Sequence, residues 1–345
     1  MKQTNNAIKF LMAQYRAIFN NAYFKGLASA ALVTVAMAAG QAQAETTGLE
    51  DALKSGTSSA PVANYKVTAT DETLNAIAAT QGYINNLTIA NGGTLTFKQS
   101  DSNDDVKKNL QVGNKLKVES GGTLTVTNTA KSGLEAGIIG AFAENSTGGH
   151  SFDKLVTTFE VDGSVNGTKT HIQFNAVNLN DAKVTLSTNY EANGDSDWSD
   201  NTQIDAIAGY DDADNLIEGT GVFNVTGQNS KITLDSGSLI NAAVMNLNAG
   251  SIDMKGTADS GSGSMIRVYT DAGKAPGELN INGASINVLG AGNYIQGKTL
   301  NIKSADSVIT VSGTSTLTLT GELAKKNVAD ITTDVGSIEN LVGFF

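Results

Sequence analysis

Residues 91–97 read NGGTLTF and residues 120–126 read SGGTLTV, 29 positions apart. A matched apolar pair precedes each copy, Leu87 and Ile89 before the first, Leu116 and Val118 before the second. Both copies therefore spell apolar-x-apolar, a short glycine-containing break, and apolar-x-apolar again. The unit recurs in weaker form down the chain, starting at Phe159, Val177, Phe223, Met245, Leu279 and Leu300. From Leu87 onward the successive gaps are 29, 43, 18, 46, 22, 34 and 21 residues. Three lie near 20, two are about twice that, and two read as one unit carrying an insertion.

A repeat of this length signals stacked supersecondary units, and alternation with period 2 makes each unit two short strands. The breaks are rich in Asn, Gly, Asp and Ser, which tolerate the left-handed backbone of tight corners. A lone pair of such strands cannot bury its apolar face, but copies stacked at about 4.8 Å build a continuous core. The expected fold is all-β: a right-handed parallel β-helix, or β-solenoid, of roughly 20-residue coils. Residues 82–321 would give some 11 coils, a stack of roughly 50 Å. A β-sandwich rarely repeats a turn sequence, and the Leu and Asn ladder of a leucine-rich repeat is absent. Residues 45–81 fit the register poorly and read as an N-terminal cap over the open sheet end. Residues 322–345 read as a C-terminal cap or the start of a continuation.

Composition agrees. The 345 residues include 37 Gly, two Pro (Pro61 and Pro276) and no Cys, and charged residues make up 17 %. Such polarity would suit a disordered chain, but the apolar pattern persists to the end. Without cysteine there is neither a disulfide framework nor a thiolate metal site.

The first 44 residues read as an address. Lys2, Lys9, Arg16 and Lys25 stand without an acid, GLASAALVTVAMAAG follows at 26–40, and Ala42 and Ala44 precede Glu45. That is a basic segment, an apolar segment and a small-residue cleavage site, with cleavage expected between Ala44 and Glu45. The apolar run is shorter than the roughly 20 residues a membrane span needs. No other stretch is long and apolar enough, so the mature chain is expected to have no membrane span. The leader holds four of the 23 Lys and Arg and none of the 34 Asp and Glu, so the remainder has 19 basic and 34 acidic residues, a charge of −15. That balance opposes nucleic acid and anionic membranes as partners.

The long leader segment AQYRAIFNNAYFKG resembles the extended signal peptides of autotransporters, the type V secreted proteins of Gram-negative bacteria. Coils of the form LTIANGGTLTF resemble the passengers of self-associating autotransporter adhesins. The resemblance implies an exported rod, at the cell surface or outside the cell, whose flank binds a host glycan, a host protein or a second copy of itself. It also implies a C-terminal translocator barrel of alternating strands, and no such segment follows here. The chain then reads either as one cut before its barrel or as a relative without one, periplasmic if no translocator exists.

Three other chemistries are considered. Asp211, Asp212 and Asp214 could form the paired carboxylates of a carbohydrate-active β-helix enzyme, a polysaccharide lyase or hydrolase. This is the alternative function, opposed by the fact that Arg267 is the single arginine after the leader. A serine-protease motif is approached at Ser236 and Ser260, with only His150 and His171 as bases, but both copies lack the glycine before Asp. Asp195 and Asp197 could offer oxygen ligands to Ca²⁺, though the glycine and terminal glutamate of a calcium loop are missing. Beside them Trp198, the one tryptophan, is a candidate contact residue for a sugar or protein. The reading requires no cofactor, no metal and no catalytic residue: a binding module, not an enzyme.

Overall fold

A computed structural model describes residues 48–57, 60–75, 82–99, 109–128, 136–140, 156–188, 201–211, 213, 215–257, 263–270, 273–325, 332–333 and 337–339. The chain is a parallel β-helix. Every pairing between its strands is parallel, in one 17-stranded and one 10-stranded sheet. Ten strands in the second sheet mean ten coils among the described residues, a rise of roughly 45 Å at the usual strand spacing.

Each of the eight unit starts read from the sequence is one coil. Leu87, Leu116, Phe159, Val177, Phe223, Met245, Leu279 and Leu300 stack directly on one another. All eight are buried. The gaps of 43 and 46 residues are therefore single coils with long insertions, not doubled units. A loop can leave a corner and return to it without disturbing the ladder, so sequence distance overcounts coils. This is why residues 82–321 hold eight of the ten coils, and not the 11 expected there.

The larger sheet holds two faces, giving three strands per coil where the sequence suggested two. The faces are continuous in the long strands Gly82–Ile89 and Asn109–Val118. From Ala136–Ile139 onward they separate. The first face then runs through Thr170–Phe174, Thr202–Ala206, Ser238–Ala242, Met265–Val268, Asn293–Gly297 and Leu317–Gly321. The second carries the unit starts, and the third is the 10-stranded sheet. The inward column of the first face is Ile138, Ile172, Ile204, Ile240, Ile266, Ile295 and Leu319. Each such side chain contributes about 1.5–3 kcal/mol by burial.

The corner between the third and first faces is held by buried polar side chains. Thr202 Oγ1 donates to the Ser187 carbonyl at 2.7 Å, Ser238 Oγ to Leu186 at 2.8 Å, and Ser264 Oγ to Leu234 at 2.7 Å. Asn293 continues the role, taking the Gly256 N–H at 3.0 Å and donating to Gly290 at 2.6 Å. Main-chain carbonyls at a sharp buried corner lose their ladder partners, and these groups satisfy them.

The ladder extends past 82–321 at both ends. Val62–Val67 pairs with Gly82–Ile89, and Glu72–Asn75 pairs with Thr94–Gln99, so the first coil lies inside the segment expected as a cap. The helix Leu49–Leu53 buries Leu49 and Leu53 against the core. Glu72 fixes it, accepting the Leu49 N–H and, at 2.9 Å, the Tyr65 hydroxyl. Burial, then Glu72, pushes the Tyr65 hydroxyl above its usual pKa. At the other end Thr332–Thr333 and Ser337–Glu339 still pair with the preceding coil, within the expected C-terminal cap.

Candidate functional site: a polar groove on the first face

The first face carries one outward column of functional side chains. In register these are Gln173, Asp205, Asn241, Arg267, Gln296 and Thr320. Beside the column the corner residues Ala206, Gly297 and Gly321 have little or no side chain, and a cavity of about 600 Å³ opens there. A Cβ at Gly297 would lie 2.4 Å from Val268 Cγ2, so a larger residue would force that side chain to move. Tyr269 forms one wall. Its hydroxyl accepts the Ala208 N–H at 2.7 Å and donates to the Ala206 carbonyl at 3.0 Å. Its ring packs on a small cluster of Ala208, Ala243 and Ala275.

Asp205 lies at the floor, 6 % exposed. It accepts Gln173 Nε2 at 2.8 Å and Asn241 Nδ2 at 2.6 Å. Asn241 Oδ1 is buried and has no hydrogen-bond partner among the described residues. Arg267 is exposed and makes no ion pair with a described residue.

Burial pushes the Asp205 carboxyl above the usual range. Hydrogen bonds from Asn241 and Gln173, then the charges of His171 and Arg267, pull it part of the way back. With its pKa raised in the folded chain, ionising Asp205 costs stability. That cost is absent below the ordinary aspartate value near 4 and grows as pH rises through the raised one. Asp205→Asn removes the charge, so its stability relative to wild type should climb as pH rises through this window and then level off. Urea unfolding at a series of pH values checks this. Parallel curves would mean that the carboxyl is not destabilised by burial.

The candidates from sequence fall elsewhere. Asp211 is exposed and engaged in its own loop, accepting the N–H of Ala213 at 2.9 Å, the N–H of Asn215 at 2.8 Å and Asn215 Nδ2 at 3.1 Å. The Asn215 backbone and then side-chain hydrogen bonds hold its pKa below the usual range. Ser236 Oγ lies 2.9 Å from the Thr257 hydroxyl, while His171 Nδ1 lies 3.0 Å from Gln203 Nε2, so serine and histidine each have other partners. Asp212, Asp214, Ser260, His150, Asp195, Asp197 and Trp198 lie outside the described residues, as do Ala44 and Glu45. Among the described residues no three acidic or histidine side chains gather as a metal site. None of their helices is long and apolar enough to cross a membrane.

Two acids line the groove, Asp205 and Glu322. Glu322 follows Gly321, at the end of a strand four coil rises from that of Asp205. Their backbones are thus roughly 19 Å apart along the axis. Paired carboxylates for glycoside hydrolysis stand about 5–9.5 Å apart. Asp205 and Glu322 do not form such a pair. Sequence reasoning noticed Arg267 only as a solitary arginine. Successive residues of the column lie 24–36 residues apart in sequence and share no motif.

No protein-family model, curated protein or solved structure matches this chain.

Proposed function

We propose that the chain is an adhesin-like rod, exported to the cell surface or beyond, or to the periplasm without a translocator. It binds through its flat flanks to a second copy of itself, or to a host glycan or protein. The observation that carries this reading is an axial ladder of asparagines on the second face. Asn224 Nδ2 donates to Asn178 Oδ1 at 2.9 Å, Asn246 to Asn224 at 3.0 Å, Asn280 to Asn246 at 3.0 Å and Asn301 to Asn280 at 2.8 Å. Thr73, Thr96, Thr125, Asn166, Thr185 and Thr233 form a similar row on the third face.

Each inner ladder amide spends one N–H and one lone pair along the axis, which fixes its orientation. The inner amides, Asn224, Asn246 and Asn280, keep a second N–H and a lone pair that the ladder does not use, repeated at the coil spacing. Each outward contact is worth about 1 kcal/mol, but a row already ordered loses little entropy on binding, and matched rows add up. The resemblance of leader and coils to autotransporter passengers points the same way.

The chain's acidity sets a test. Like-charged rods repel over about 30 Å at 0.01 M salt and about 8 Å at 0.15 M. Self-association should therefore strengthen as salt rises through that range, opposite to a charge-paired interface. Sedimentation of the exported chain at the two ionic strengths reads it. Asn246→Ala, which cuts the ladder in its middle, should weaken association at the higher salt. A monomer under both conditions would remove self-association and leave a host ligand.

A further inference from the structure

The groove on the first face differs from the flat flanks in the one respect that selects a ligand: its polar groups converge on a cavity. Arg267 supplies a planar fork with no ion-pair partner among the described residues. Asn241 below it in the column keeps an acceptor without a partner among the same residues, and Gln296 above it adds an amide. A volume of about 600 Å³ falls in the range of small-ligand sites.

The form of the groove excludes several occupants. An extended peptide adds to a free strand edge or fills apolar or aromatic pockets. Here the strands that carry Asn241, Arg267 and Gln296 are each hydrogen-bonded to a strand on both sides, and the apolar part of the lining beside them is the small or medium-sized Ala206, Ile207, Ala208 and Val268 with one tyrosine ring. An acidic ligand would find one cation, Arg267, between two acids, Asp205 and Glu322, on a chain of net charge −11. What remains is an uncharged, elongated molecule rich in hydroxyls. The fork of an arginine and the amides of Asn and Gln each offer paired hydrogen bonds that suit adjacent hydroxyls.

We propose that this groove is a binding subsite for a neutral oligosaccharide lying along the rod axis, held by Asn241, Arg267 and Gln296 against the Tyr269 wall. A binding rod is presupposed, but not its self-association: the chain can remain monomeric at every salt concentration and still bind sugar here.

Isothermal titration of the full chain with cellotetraose, maltotetraose and N-acetylchitotetraose, and with tetragalacturonate as the acidic counterpart, tests the assignment. At least one neutral tetrasaccharide should bind at millimolar concentration or below, and more tightly than the uronate. Arg267→Ala should weaken that binding by about tenfold or more, the value of a charge-assisted hydrogen bond. Arg267→Lys, which keeps the charge and loses the fork, should weaken it nearly as much. Arg267 is exposed, so an unchanged unfolding midpoint is expected to accompany the loss. Tighter binding of the uronate, binding that survives Arg267→Ala, or no heat with any of the four probes would each overturn the proposal.

Discussion

Ile281→Asp is expected to destabilise the chain by about 3–5 kcal/mol, while Asn282→Asp, one residue on, should change stability by no more than about half a kcal/mol. Ile281 is fully buried and stacks between Leu247 and Ile302 in the inward column of the second face. A carboxylate there would be desolvated with no cation within the column. Protonating it would still leave a buried hydroxyl and carbonyl without partners. Asn282 is exposed, and its contribution to the ladder is its N–H to the Leu247 carbonyl at 2.7 Å, which aspartate retains. Urea unfolding of the two variants beside wild type decides the matter. Equal midpoints would show the inward register to be wrong by one residue.

Gly93→Ala is expected to destabilise by about 1–3 kcal/mol, and Gly92→Asn by much less, although the two glycines adjoin in NGGTLTF. Gly92 has φ +76° with open space around its Cβ position. Asparagine tolerates that left-handed backbone better than other side chains. Gly93 is the opposite case. A Cβ there would sit 2.5 Å from the Val67 carbonyl oxygen of the preceding coil. Neither backbone can withdraw easily. Thr94 N–H bonds Ala69 at 2.8 Å below, and the Gly93 carbonyl accepts Thr123 N–H at 2.9 Å above. The two variants compared by thermal unfolding separate conformational strain from close approach. A larger loss for Gly92→Asn would reverse this assignment of roles.

The doubled glycine thus has a physical reading that the sequence only half revealed. The first glycine follows from turn chemistry, which is local. The second follows from the distance between stacked coils, which appears only once the coils are in register. Farther along the chain the same position holds Ala182, Ser230, Ala284 and Ser307, which carry a Cβ; in the coil that follows SGGTLTV, Asp162 and Gly163 take it, where a Cβ on Gly163 would lie 2.5 Å from the Glu119 and Gly122 carbonyl oxygens. The requirement for close approach persists there while the letters around it change.

The second and third faces were legible because each strand carries two inward apolar residues around one outward polar residue, as in Leu279-Asn280-Ile281 and Ile286-Asn287-Val288. Two such strands around a turn fix the buried face, and their repetition with its turn sequence points to parallel stacking over a sandwich. The first face was not legible. THIQF turns Ile172 and Phe174 inward, but TQIDA and SLINA follow their isoleucine only with an alanine, Ala206 and Ala242, too weak an alternation to register as a recurring strand. Their identity comes from the column they complete. The sequence alone determined that the chain stacks short strands and which residues fill most of the core. Only the tertiary structure decided that each coil has three sides. It also turned Asp205, Asn241 and Arg267, 26 to 36 residues apart, into neighbours, because parallel stacking sets residues one coil apart in sequence at a single strand spacing in space.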